Sequence, residues 1–192
     1  MFVLLIGLLI FFASHTFRWL TPHYRDRLIA QLGMPGYKAL YSVISLIALI
    51  FIVWGYSLSR ADPLLLWLPP VWTRHLAALL MLPAMILLVA TYLPGTRLKA
   101  RLHHPMLLAV KVWALAHLIS NGTLADVILF GSFLSWAVAG FIYCRREDRA
   151  KGFTAAPGRV SRDMLALFAG VLLYFIFAFY LHQLLIGASP FA

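Results

Sequence analysis

The chain has 192 residues, of which 63% are hydrophobic and only 11% are charged. A soluble domain carries about 45–50% apolar and about 25% charged residues, so this composition excludes a soluble globular protein. The net charge of +10 would suggest nucleic acid as the partner of a soluble protein. In a membrane protein it has another source, because Lys and Arg accumulate in cytoplasmic loops. We therefore predict an integral membrane protein that is surrounded by the lipid bilayer and has no nucleic-acid partner.

Charged and turn residues divide the chain into six apolar stretches. A bilayer crossing takes about 20 residues, and each stretch is continuously apolar rather than alternating, which predicts helices and not barrel strands. The sequence therefore predicts an all-α, polytopic integral membrane protein with six transmembrane helices in a single domain over residues 1–192. The predicted spans are Phe2–Leu20, Lys38–Leu58, Val71–Leu93, Pro105–Ser120, Leu124–Tyr143 and Asp163–Ile186.

The basic residues predict the orientation of these spans. Thirteen of the 16 Lys and Arg residues lie in the first, third and fifth connections, whereas Arg60 and Arg74 are the two in the other connections. Lys111 lies inside the fourth apolar stretch. Because basic residues mark the cytoplasmic side, we predict that both termini lie on the non-cytoplasmic side.

The acidic residues exclude several kinds of site. None of the six Asp and Glu residues lies in the middle of an apolar stretch, whereas an ion-coupled transporter usually needs a carboxylate near the bilayer midplane. A paired-carboxylate site, a glycine-rich phosphate loop and a nucleophile elbow are also missing from the sequence. Asp126 is predicted to cap the fifth transmembrane helix, where its charge meets the positive end of the helix dipole. The single Cys144 excludes a multi-cysteine metal site.

Histidines are the unusual feature of the apolar stretches. Four of the seven lie within or at the edges of predicted spans, namely His15, His75, His117 and His182. An imidazole is costly in hydrocarbon, so each needs a partner or a ligand. One interpretation is that each bonds a backbone carbonyl or a neighbouring helix. The other is a cofactor inside the bundle, for which haem is well suited because its iron takes histidines from facing helices.

Helical spacing adds two residues to this candidate site. Trp113 precedes His117 by four positions and therefore lies on the same helix face. Lys111 is six positions from His117, about 120° away around the helix. Its ammonium could serve as a counter-charge for a haem propionate, or it could extend toward the cytoplasmic surface along its apolar stem.

Several segments carry a family resemblance. They include Ser14-His15 followed by Arg18, the Arg74-His75-Leu76 tripeptide, and the long run from His104 to His117 with its continuation to Asp126. Along essentially its whole length, the chain resembles the NnrU family of bacterial inner-membrane proteins. The resemblance implies a multi-pass protein of the inner membrane that is linked to denitrification, with a nitrogen-oxide reductase system as a partner.

The same superfamily includes zeta-carotene isomerase, a haem b enzyme, and this likeness implies that His15 and His117 are the axial ligands of a haem b. Where the isomerase has a cysteine three residues before the second histidine, this chain has Ala114. By the predicted orientation, His15 and His117 differ in depth by about 12 Å. Depth alone groups His117 with His75 and His182, which are therefore alternative ligands.

Three functions stay open at this point. The first is a haem b protein that takes part in nitrite and nitric oxide metabolism. The second is a haem-dependent cis–trans isomerase of a polyene lipid such as a carotenoid. The third is a non-catalytic assembly factor whose histidines only join helices, so an enzymatic role is left undecided.

Overall fold

The computed structural model describes residues 1–191, and within them it has helices and no β-strand. The predicted all-α class is therefore confirmed. The helices are α1 (Phe2–Leu20), α2 (Pro22–Ala61), α3 (Val71–Tyr92), α4 (Arg97–Leu102), α5 (Pro105–Ser120), α6 (Leu124–Ala150), α7 (Val160–Ile176) and α8 (His182–Ile186). A π-helical turn, Phe177–Leu181, joins α7 to α8.

Five helical segments are long and apolar enough to cross a bilayer, which makes this a membrane protein. They are α1, α2, α3, α6 and the continuous segment Val160–Ile186. The helix α5 has the predicted bounds but only 16 residues. At about 1.5 Å of rise per residue it is shorter than the hydrocarbon layer of about 30 Å. The structure thus has five candidate spans where the sequence predicts six.

Three polar segments that the sequence predicts as connections are helical. The helix α2 begins at Pro22, and Gly33, with φ 70° and ψ 165°, divides its polar first part from the apolar part. The helix α6 continues beyond Tyr143 to Ala150, and α4 lies in the third connection. Arg, Lys, Gln and Glu are good helix formers. These polar residues therefore mark the edge of the apolar segment and not the end of the helix.

The chain forms two compact units, and the first consists of residues 1–65 and 123–129. In this unit α1 packs against α2 through small residues. A Cβ on Gly7 would lie 2.6 Å from the backbone nitrogen of Ile52, and one on Gly55 would lie 2.6 Å from Cα of Leu4. Such close approach of two backbones is the usual way in which helices pack inside a bilayer.

The second unit consists of residues 66–122 and 130–192. Here α3 packs against α5 and α7, and Gly170 of α7 lies directly against the backbone of Ile86. Large apolar side chains point outward, for example Phe168, which is 69% exposed. Lipid tails can cover such a surface, because they solvate apolar side chains as well as a protein interior does.

Candidate functional site

His117 lies in the last turn of α5, and its proton is fixed by the helix backbone. Its Nδ1 is 2.9 Å from the carbonyl oxygen of Trp113. A carbonyl oxygen only accepts, so Nδ1 must donate. In the neutral ring, Nε2 then carries the lone pair, which is the form of imidazole that binds a metal ion.

Aromatic rings surround His117. Its imidazole stacks on Phe130 of α6, with a centroid distance of 4.8 Å and an interplanar angle of 28°. The ring of Trp113 lies 5.4 Å from the imidazole and meets Phe130 and Phe133 edge-on. Because Phe130 is only 5% exposed, these contacts hold His117 in one orientation. The structure therefore brings together His117 and Trp113, two of the residues predicted for the site.

Lys111 makes a different contact. Its ammonium lies 4.2 Å from the ring centroid of Phe141 on α6, which is cation–π geometry. The same ring forms a T-shaped pair with the imidazole of His104, just before α5, with a centroid distance of 6.2 Å. A role for Lys111 as a counter-charge to a haem propionate would require its ammonium to leave this ring.

His15 belongs to the first unit, and its surroundings resemble those of His117. Its Nδ1 is 2.8 Å from the carbonyl oxygen of Phe11 and 3.1 Å from Oγ of Ser14. The ring stacks on Phe11 at 3.8 Å, and the Tyr41 ring of α2 lies 5.1 Å away. Nδ1 therefore donates to the carbonyl here as well, which leaves the lone pair on Nε2.

The two alternative ligands differ from each other. His182 follows the π-helical turn directly, and its Nδ1 donates to the carbonyl oxygen of Ala188 at 2.7 Å. His75 lies in the first part of α3 with an exposed side chain. Within residues 1–191, no three His, Cys, Asp or Glu side chains form a group that could hold a metal ion.

The predicted role of Asp126 as a helix cap is confirmed, and Asp126 also has a partner that the sequence did not indicate. Its carboxylate accepts hydrogen bonds from the backbone nitrogen of Thr123 at 2.9 Å and from the Thr123 hydroxyl at 2.6 Å. Thr123 Oγ1 lies 3.3 Å from the Asp126 nitrogen in return, which makes a capping box at the start of α6. The Tyr56 hydroxyl also donates to Asp126 at 2.6 Å from 70 positions away.

A second missed group lies at the other end of α6. His103 and His104 both bond the carboxylate of Asp148, at 2.9 Å and 3.0 Å. The adjacent histidines in the sequence were a signal for such a group. Their acceptor was hidden because the segment around Asp148 was predicted to be a linker and not a helix.

Comparison with known proteins identifies the family. The family described as NnrU protein matches residues 3–190. A search of curated proteins finds no match, and a search of solved structures finds none either. The match over residues 3–190 covers nearly the full chain, and on this ground the chain belongs to the NnrU family.

Proposed function

We propose that this NnrU-family membrane protein binds haem b, with Nε2 of His117 as an iron ligand, and acts in nitrite and nitric oxide metabolism. One observation carries the proposal. The Nδ1 of His117 donates to the carbonyl oxygen of Trp113 at 2.9 Å. Histidines that bind metals are oriented by a hydrogen bond of this kind from their other ring nitrogen.

The surroundings of His117 suit a porphyrin. A haem needs flat, apolar neighbours and only one or two protein ligands, because the porphyrin nitrogens fill the other positions of the iron. Phe130, Phe133 and Trp113 supply aromatic surfaces beside His117.

In this proposal His15 would also hold the haem iron, as the family resemblance implies. Its Nδ1 donates to a carbonyl oxygen, as that of His117 does, so both rings have their lone pair on Nε2. His75 and His182 are the alternatives. The family resemblance supports His15 over them, and the proposal adopts that order.

Bound haem would supply a redox-active iron that binds nitric oxide. The chain itself would hold His117 in a fixed orientation and keep water from the ring through Phe130 and Trp113. Ala114 stands where the carotenoid isomerase has its cysteine, so isomerisation is the weaker candidate for this chain.

The absorption spectrum of the purified protein tests haem binding. Expressed with sufficient haem, the protein should show a Soret band and a pyridine haemochrome of b type. His117→Ala should lose most of the haem, and His15→Ala should shift or weaken the spectrum. His23→Ala is the matched control, because His23 is exposed on α2 and should leave the spectrum unchanged.

Four outcomes would contradict the proposal or change it. Purification without haem would exclude it. Unchanged spectra in both His117→Ala and His15→Ala would move the ligands to His75 or His182. A haem protein whose ferrous Soret band does not shift on titration with nitric oxide would remove the link to nitrogen oxides, and isomerase activity on a carotenoid would establish the alternative function.

We also propose that α5 crosses the bilayer as a sixth, short span and that both termini face away from the cytoplasm of a bacterial inner membrane. The distribution of Lys and Arg supports this orientation. Green fluorescent protein fused to the C-terminus should stay dark, because it does not mature outside the cytoplasm. A bright fusion would reverse the orientation.

A further inference from the structure

An open cavity of about 300 Å³ lies where α6 ends. It belongs entirely to the second unit and is independent of the proposed haem ligands. Its lining includes the side chains of His103, Arg145, Asp148, Arg149, Phe153 and Thr154. The apolar part of α6 ends near Tyr143, so Arg145 lies just beyond it. In a membrane protein this is the level of the lipid headgroups.

One wall of the cavity is a strained turn. His103 has φ 63° and ψ −50°, and the nitrogen of His104 donates to the carbonyl oxygen of Leu102 at 2.7 Å. This is a classic γ-turn, which is rare and costly for a residue with a Cβ. Strained backbone of this kind is concentrated at binding and catalytic sites.

Asp148 holds the turn in place. Its Oδ2 lies 2.9 Å from Nδ1 of His103 and 3.0 Å from Nε2 of His104. Phe153 meets the His103 ring edge-on at 5.7 Å. The imidazole of His103 is therefore fixed in the cavity wall from two sides.

The charge of the lining is positive. Arg145 and Arg149 contribute two cations, against the single carboxylate of Asp148, which already accepts from two histidines. The Nη1 of Arg145 lies 3.8 Å from Asp148 Oδ2, too far for a hydrogen bond, so this guanidinium retains donors for another group. Lys151 pairs instead with Glu147, outside the lining.

We propose that this cavity binds a phosphate group, supplied by an anionic phospholipid headgroup or by free phosphate. Guanidinium groups match the oxygens of a phosphate with parallel hydrogen bonds. Two of them one helical turn apart, with His103 fixed beside them, form a compact anion site. Phe153 gives the site an apolar edge, against which the glycerol end of a lipid can lie.

The test measures lipids and phosphate on the full-length protein in detergent. Native mass spectrometry compares phosphatidylglycerol with phosphatidylcholine, and calorimetry titrates inorganic phosphate. Each lost charge-assisted hydrogen bond weakens binding by about tenfold. Arg145→Ala with Arg149→Ala should therefore weaken binding at least tenfold, whereas Arg25→Ala with Arg27→Ala removes the same charge from α2 and should not.

A second variant guards against misfolding. Thr154 is an exposed residue of the lining, so Thr154→Glu should leave the fold intact while its carboxylate repels the ligand. Preference for phosphatidylglycerol that both cavity variants abolish would establish a lipid site. Binding of inorganic phosphate without lipid preference, lost in the same variants, would establish a free-phosphate site. Retained binding in both cavity variants, or equal loss in the α2 control, would overturn the proposal.

Discussion

The two ends of α5 carry histidines in opposite surroundings. At its C-terminal end, His117 donates to a backbone carbonyl and stacks on Phe130. Before its N-terminal end, His103 and His104 share one carboxylate of α6. A carbonyl fixes which nitrogen carries the proton without adding a charge, whereas a carboxylate adds charge-assisted bonds.

This difference shows what each end requires. The ring of His117 is held by packing among apolar groups, which suits a neutral ligand for a cofactor. The N-terminal histidines join the turn before α5 to the end of α6, where water and headgroups can screen charge. Loss of packing should therefore lower stability most at the C-terminal end of α5, and loss of charge should lower it most at the N-terminal end.

The largest effect is expected from Phe130→Ala. Removing a buried phenylalanine ring leaves a cavity, and the expected cost is about 3 kcal/mol of unfolding free energy. His117 also loses the surface on which it stacks. Unfolding in mixed micelles with increasing dodecyl sulfate, followed by circular dichroism, measures this cost.

Phe168→Ala is the matched control, because Phe168 is also a helical phenylalanine but its side chain is 69% exposed. We expect it to change the unfolding free energy by less than about 0.5 kcal/mol. Equal costs for the two variants would show that Phe130 does not organise this end of α5.

A smaller effect is expected from Asp148→Ala. The variant removes the acceptor of two histidine hydrogen bonds, which should lower the unfolding free energy by about 2 kcal/mol. The cost stays moderate because the site is partly exposed, so water can replace part of the lost bonding. Glu147→Ala makes the same change of charge one residue earlier, at the exposed pair with Lys151, and should cost about 0.5 kcal/mol. If the two variants unfold alike in the same micelle titration, the carboxylate of Asp148 does not hold the turn.

The sequence predicted the helices best where composition changes sharply. The bounds of α1 and α5 agree with their predicted spans, and Pro105 occupies the first turn of α5, a position that suits proline. The predicted start of the second helix and the predicted end of the fifth were wrong, since α2 begins earlier and α6 ends later. Arg25, Arg27 and Glu147 are compatible with both a helix and a polar connection. Tertiary contacts decide between these states, and a single sequence does not contain them.

Site residues were predictable only within one helix. Trp113 and His117 are one turn apart, and their rings lie 5.4 Å from each other. The bonds from His103 and His104 to Asp148 span 45 and 44 positions. They exist only because α6 remains helical beyond its apolar part, so the adjacent histidines alone could not show that Asp148 is their acceptor.

The smallest difference in stability is expected at the N-terminal end of α5, between the variants His103→Gly and His104→Gly. Both variants lose one hydrogen bond to Asp148, but only His103 has a positive φ, of 63°. Glycine adopts that conformation without steric cost, so relief of strain should offset part of the lost bond in His103→Gly alone. We expect the unfolding free energy of His103→Gly to be about 1 kcal/mol higher than that of His104→Gly, which makes His103→Gly the more stable variant. Equal stability, or a less stable His103→Gly, would mean that the turn stores no strain, and Asp148 would then stabilise this end by charge alone.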